Sequence, residues 1–67
     1  MGSFDVVNLG PVEAAQSQSA WKLEGTQTKC SLFMLKKRMR KSWIQFTGAN
    51  GKMQFAFETD MGLFLVL

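Results

Sequence analysis

The residues of this chain best suited to chemistry form a basic run at residues 36–41, Lys-Lys-Arg-Met-Arg-Lys, which holds five of the eight Lys and Arg residues. Cations this close together repel one another, so they must face solvent or an anionic partner. Beside an exposed aromatic ring they could hold phosphate groups while the ring stacks on a base. The sequence therefore predicts a candidate anion or nucleic-acid contact made of Lys36, Lys37, Arg38, Arg40, Lys41 and Trp43. The alternative is a solvated turn that keeps a sheet edge soluble.

The residue type that most often acts as a general base in catalysis is missing. The chain has no histidine, which removes the Ser-His and Cys-His pairs of nucleophilic catalysis and the zinc patterns built on Cys and His. The spacing of Ser31, Ser42 and Lys41 does not distinguish a Ser-Lys pair from ordinary surface residues. The single cysteine, Cys30, lies in an apolar run and is expected to be a small core residue. We therefore expect no catalytic site, no metal site and no cofactor, and a protein that is not an enzyme.

The length and the apolar content indicate a protein that binds a partner. A chain of 67 residues has room for one domain, residues 1–67, and such a domain buries only about 60% of the surface that its unfolded form exposes. A single cysteine allows no internal disulfide. Because 46% of the residues are hydrophobic and so small a domain cannot bury them all, some aromatic surface is expected to stay exposed. The sequence thus predicts a non-catalytic interaction module, acting as a homo-oligomer or as a small accessory subunit of a protein complex. A small nucleic-acid-binding domain using residues 36–41 is the alternative.

The sequence also bears on location. No stretch reaches the roughly 18 apolar residues of a membrane-spanning helix, and the first residues lack the basic and apolar regions of a secretory signal. Together with the free cysteine, this predicts an intracellular protein, and the basic run could also serve as a nuclear-import signal.

Alternation of apolar and polar residues predicts most of the elements. Residues 42–47 and 52–58 each alternate, and they flank Gly48-Ala49-Asn50-Gly51, in which Asn-Gly accepts the positive φ angles of tight turns. This pattern predicts a β-hairpin over residues 42–58. Strands are also expected at residues 4–9 and 20–24, and turns at residues 25–28 and 59–62. Gly10-Pro11 ends the first strand, and a short helix or a loop is expected at residues 10–20.

The stretch around the basic run is ambiguous. Residues 29–36 are apolar on both faces of a strand, which favours a covered strand followed by a basic turn. However, Leu32, Leu35, Met39 and Trp43 recur at helical spacing, so a basic amphipathic helix is the alternative.

The C-terminal run at residues 63–67 has no polar residue, so alternation cannot hide half of it from water. It is expected to be a central strand of a closed barrel, or to contact another subunit through Phe64, Val66 and Leu67. The fold class is accordingly mainly β, or α+β. It is expected to be a small antiparallel sheet or barrel of about five to six strands, with or without one short helix after the first strand.

Overall fold

The computed structural model of the chain describes residues 2–18, 20–46 and 51–67. It contains five strands and two short helices: β1 (Ser3–Asn8), α1 (Val12–Gln16), β2 (Thr26–Ser31), α2 (Leu32–Arg38), β3 (Lys41–Phe46), β4 (Met53–Thr59) and β5 (Gly62–Val66). The strands form one antiparallel sheet in the order β2-β1-β5-β4-β3. The expectation of a small, mostly β fold with a helix after the first strand is confirmed. The sheet is open, and its edge strands are β2 and β3.

The core lies on both faces of this sheet because side chains alternate along each strand. On the α1 face, Ala15 of α1 and Trp21 pack against Val7, Ala56, Leu63 and Leu65. On the α2 face, Met34 and Leu35 of α2 pack against Val6, Cys30, Phe57 and Phe64. Because β5 is the middle strand and is covered on both faces, its unbroken apolar run is explained without closure into a barrel.

The hairpin predicted over residues 42–58 is confirmed. β3 and β4 pair in register from Lys41 opposite Glu58 to Phe46 opposite Met53. Of the predicted turn, residues 48–50 lie outside the described part of the chain, while Gly51 has φ of +68°. The predicted turn at residues 59–62 is also present, and the Thr59 hydroxyl accepts a hydrogen bond from the Met61 amide at 3.0 Å.

The preferred interpretation of residues 29–36 as one strand followed by a basic turn is wrong. The strand ends at Ser31, whose hydroxyl accepts a hydrogen bond from the Met34 amide at 3.0 Å and so begins a helix. The helix ends at Arg38, because Met39 is already extended. Three basic residues therefore occupy its last turn, where their positive charges interact favourably with the negative end of the helix dipole. The helical alternative was right in kind but too long, since Trp43 belongs to β3.

Two further elements also differ from expectation. Residues 20–24 are not a strand, because Trp21 is held by a side chain instead of a neighbouring strand. The side-chain amide of Gln54 accepts a hydrogen bond from the backbone N–H of Trp21 at 3.0 Å and donates one to the backbone carbonyl of Trp21 at 2.6 Å. The turn expected at residues 25–28 is restricted to Gly25, with φ of +136°, because β2 begins at Thr26.

Candidate interaction surface

The basic run is divided between two elements and two faces of the sheet. Lys36, Lys37 and Arg38 form the last turn of α2, and all three are exposed. Lys41 begins β3, and its Nζ lies 4.3 Å from the ring centroid of Trp43, which packs against the core of the α1 face. The predicted contact of cations with Trp43 is therefore present only for Lys41. The ring exposed beside the helical cations is Phe33, which is 74% exposed and lies 5.8 Å from the Nζ of Lys37.

Three of the cations line one small cleft at the end of α2. The cleft has a volume of about 270 Å³ and is lined by Lys37, Arg38, Met39, Arg40 and Asp60. The carboxylate of Asp60 lies 3.9 Å from the guanidinium of Arg38, and both side chains are about half exposed. A single acid therefore faces three cations, and the cleft keeps a net positive charge.

The net charge of the chain is concentrated on the α2 side. Lys36, Lys37, Arg38 and Arg40 belong to α2 and the residues directly after it, and the acid in their cleft is Asp60, so these five residues carry three more positive than negative charges. The remaining lysines and acids are equal in number and cancel: Lys22, Lys29, Lys41 and Lys52 against Asp5, Glu13, Glu24 and Glu58. The net charge of +3 therefore equals the charge of Lys36, Lys37, Arg38 and Arg40 less that of Asp60.

A group of apolar side chains beside α2 is left uncovered. The Leu32 amide donates a hydrogen bond to the Gly2 carbonyl at 2.9 Å, and the Arg40 amide donates to the Glu58 carbonyl at 2.8 Å. α2 thus crosses its face of the sheet from the start of β1 to the end of β4. The part of that face at the start of β4 and the end of β3, which we call the apolar corner, consists of Ile44, Phe46, Met53 and Phe55.

The apolar corner is exposed and carries no charge. Its side chains form two directly opposed cross-strand pairs, Ile44 with Phe55 and Phe46 with Met53. They are 64%, 38%, 69% and 59% exposed, respectively. The other positions of β3 and β4 on this face are Ser42, Phe57 and Thr59, so no charged side chain of these two strands points to this side.

The contact expected at the C-terminal run is mostly inside the molecule. Phe64 is 4% exposed, Val66 is half-buried, and Leu67 alone of the three is exposed. Both edges of β5 are occupied, by β1 and by β4, so strand addition at β5 is not available. The residues of the apolar corner did not enter the predicted interface, although the alternation of β3 and β4 had already placed apolar side chains on one face.

A larger cleft lies between α1 and the paired ends of β3 and β4. Its volume is about 690 Å³, and its polar lining includes Glu13, Gln16, Lys41 and Glu58. The indole Nε1 of Trp43 is buried without a hydrogen-bond partner among the described residues, while Lys41 lies over the ring. The Thr59 hydroxyl in this lining donates a hydrogen bond to the Gly62 carbonyl at 3.3 Å.

The remaining candidates for chemistry are also accounted for by the fold. Cys30 is 1% exposed, and burial raises the pKa of its thiol, which keeps it in the protonated, unreactive form. Within residues 2–18, 20–46 and 51–67, no three side chains of the Cys, Asp and Glu types cluster as metal ligands would. In the same part of the chain, neither helix has the length and apolar character needed to cross a bilayer.

What the geometry offers is thus a charge-free apolar surface beside a cationic helix. Comparisons with protein-family models, curated proteins and solved structures gave no match to this chain.

Proposed function

We propose that this chain is a non-catalytic interaction module that binds a protein through the apolar corner, either as a homo-oligomer or as an accessory subunit, in an intracellular compartment. The observation that supports it is the exposure of Ile44, Phe46, Met53 and Phe55 on one uncharged surface. At roughly 200 Å² for a fully exposed side chain of this size, these fractions correspond to roughly 400–500 Å² of apolar surface. A patch of this size on a monomer commonly marks a contact site.

The size of the molecule strengthens this argument. The whole accessible surface is 4650 Å², so the apolar corner is about a tenth of it, which is the share that a protein–protein interface takes of a small protein. Of the other exposed apolar residues, Leu32 and Phe33 are neighbours in α2, and Leu23 and Leu67 line one cleft with Met53 of the corner. None of these residues forms an exposed cross-strand pair like those of the corner.

The proposal is tested by a double substitution in the apolar corner, with a methionine of similar exposure outside the corner as the control. Met53 lies in the apolar corner and is 59% exposed, whereas Met61 lies in the β4–β5 turn and is 53% exposed. We expect Ile44→Ser combined with Met53→Ser to weaken association by about tenfold or more, and Met61→Ser to leave it unchanged. Sedimentation velocity measures self-association, and quantitative affinity capture from cells measures binding to other proteins.

Two outcomes would contradict it. One is a monomer at all concentrations whose captured proteins are the same for the wild type and for the corner variant. The other is an equal loss of association with Met61→Ser, which would show that the effect is not specific to the corner.

Binding of nucleic acid is a second proposal, favoured by the charge distribution. The excess of positive charge lies at Lys36, Lys37, Arg38 and Arg40, and Lys37 lies over the exposed ring of Phe33. Phosphates could bind at the cleft of Lys37, Arg38 and Arg40 while a base stacks on Phe33.

This second proposal predicts a specific effect of charge position. Replacing Lys37, Arg38 and Arg40 with glutamine should abolish most binding of single-stranded oligonucleotides at low salt, measured by fluorescence anisotropy. Replacing Lys22, Lys29 and Lys52 with glutamine removes the same charge elsewhere and should have a much smaller effect. An absence of affinity at low salt, or equal effects of both triple variants, would rule the proposal out.

A further inference from the structure

We infer that the partner of the apolar corner is an acidic amphipathic helix from another protein, which lies beside α2 across β3 and β4. This inference rests on the proposed function and specifies the chemistry of the partner.

The width of the sheet calls for a second helix on the α2 face. Strands are spaced about 4.8 Å apart, and a helix with its side chains is about 10–12 Å wide. A helix aligned with the strands therefore covers roughly two of them. α2 crosses the face from β1 to the end of β4 and packs on Val6, Phe57 and Phe64, which leaves β3 and the start of β4 open. Within the described residues, α2 is the one helix on this face, and the apolar corner marks the place that the second would occupy.

The corner suits the apolar stripe of a helix. Its two cross-strand pairs lie two residues apart along β3 and β4, or roughly 7 Å. Four apolar side chains at this spacing form a short platform that can take side chains at i, i+3, i+4 and i+7 of a helix.

The charge at the end of α2 determines the flank of that helix. Three of the four cations of α2 and Arg40 line a cleft with Asp60 just past the end of β4, and the corner lies at the start of β4. A helix of about 16 residues that runs from the corner along β3 and β4 is roughly 24 Å long and reaches these cations. Acidic side chains on the flank facing α2 would therefore be favoured, and basic ones would be repelled.

Three other occupants fit less well. A second copy packed face to face would bring two surfaces of net charge +3 together. A flat bilayer would meet α2 first, because the corner lies about one helix diameter, roughly 10 Å, below the outer side of α2. A nucleic acid supplies negative charge but no aliphatic surface to cover Ile44 and Met53.

The test is selection from a random peptide library against the folded full chain. Displayed peptides of about 16 residues span roughly four helical turns. We expect the selected peptides to combine apolar residues at helical spacing with an excess of Asp and Glu, and to gain helicity on binding, measured by circular dichroism of a synthesised binder.

Two pairs of variants locate the contact. Affinity for the synthesised binder should fall by about tenfold or more with Ile44→Ser and with Lys36→Gln combined with Lys37→Gln. It should change little with Met61→Ser and with Lys22→Gln combined with Lys29→Gln, which remove a similar side chain and the same charge elsewhere. Melting curves establish that each variant is folded.

The outcomes separate this inference from the proposed function. Binders without acidic residues, or binders sensitive to Ile44→Ser but not to the α2 lysines, would overturn the acidic helix and leave the apolar corner as a contact site. Binders sensitive to neither change would overturn both. Recovery of no peptide above background would also overturn the inference. So would binding of phosphatidylserine vesicles or of a single-stranded oligonucleotide in place of peptides.

Discussion

Phe57→Ala is expected to remove about 3–5 kcal/mol of folding free energy, which is about a third or more of the roughly 3–10 kcal/mol that a chain of this length usually has. Phe57 is fully buried in the middle of the α2 face. Its ring stacks on Phe64 with centroids 5.6 Å apart and meets the edge of Phe4 at 6.5 Å. Removing it would leave a cavity below α2 that the short helix cannot fill by relaxing, since Met34 and Leu35 already occupy their own positions.

Phe55 provides the matched control for this prediction. It lies on the same strand and the same face as Phe57, two residues away, but is 38% exposed. Phe55→Ala should therefore cost much less, about 1 kcal/mol, because much of its surface already contacts water. Urea unfolding followed by circular dichroism measures both values. Equal losses for the two variants would mean that α2 does not cover Phe57 as the structure has it.

Gly62→Ala is expected to cost roughly 2–4 kcal/mol, from backbone strain together with a weakened hydrogen bond. Gly62 begins β5 with φ of +120°, which side-chain-bearing residues rarely adopt. A Cβ atom there would lie 2.6 Å from the backbone oxygen of Gly10. That oxygen also accepts the Leu63 amide at 2.9 Å, so moving it would disturb the junction between β1 and β5.

Gly51→Ala separates the steric part of this effect from the conformational part. Gly51 also has a positive φ, of +68°, but a Cβ atom there would meet nothing within 4 Å. Its substitution should cost only about 1–2 kcal/mol, the cost of left-handed backbone for an L residue. Thermal and urea unfolding of the two variants give the comparison. If Gly51→Ala were as damaging as Gly62→Ala, contact with Gly10 would not be the cause.

Local patterns in the sequence were enough to predict the hairpin and the general fold class. Alternation in residues 42–47 and 52–58 depends on which side of one strand each residue faces, and this is decided within a few residues. The same holds for Gly10-Pro11, which separates the first strand from α1. The lack of histidine and the single cysteine are properties of the composition, so the classes of site that they remove did not depend on the fold.

The helix at Leu32–Arg38 lies at the limit of such patterns. Seven residues are too few for a helical period to differ clearly from an apolar strand. The start of the helix is marked by the hydrogen bond from the Met34 amide to the Ser31 hydroxyl. Because serine is favoured in turns as well as at helix N-caps, its presence alone does not distinguish the two.

Only the tertiary structure decided which apolar residues are covered. β5 lies between β4, its neighbour in the chain, and β1, which begins some 60 residues earlier, so Phe64 is buried although its own run suggested a contact surface. The apolar corner is exposed because α2 crosses the sheet toward Glu58 and leaves the start of β4 open. Both results depend on contacts between segments that are far apart in the chain. A local sequence pattern does not predict the free energies of such contacts. The sequence alone therefore determined that apolar surface would remain exposed, and the arrangement of α2 on the sheet determined where.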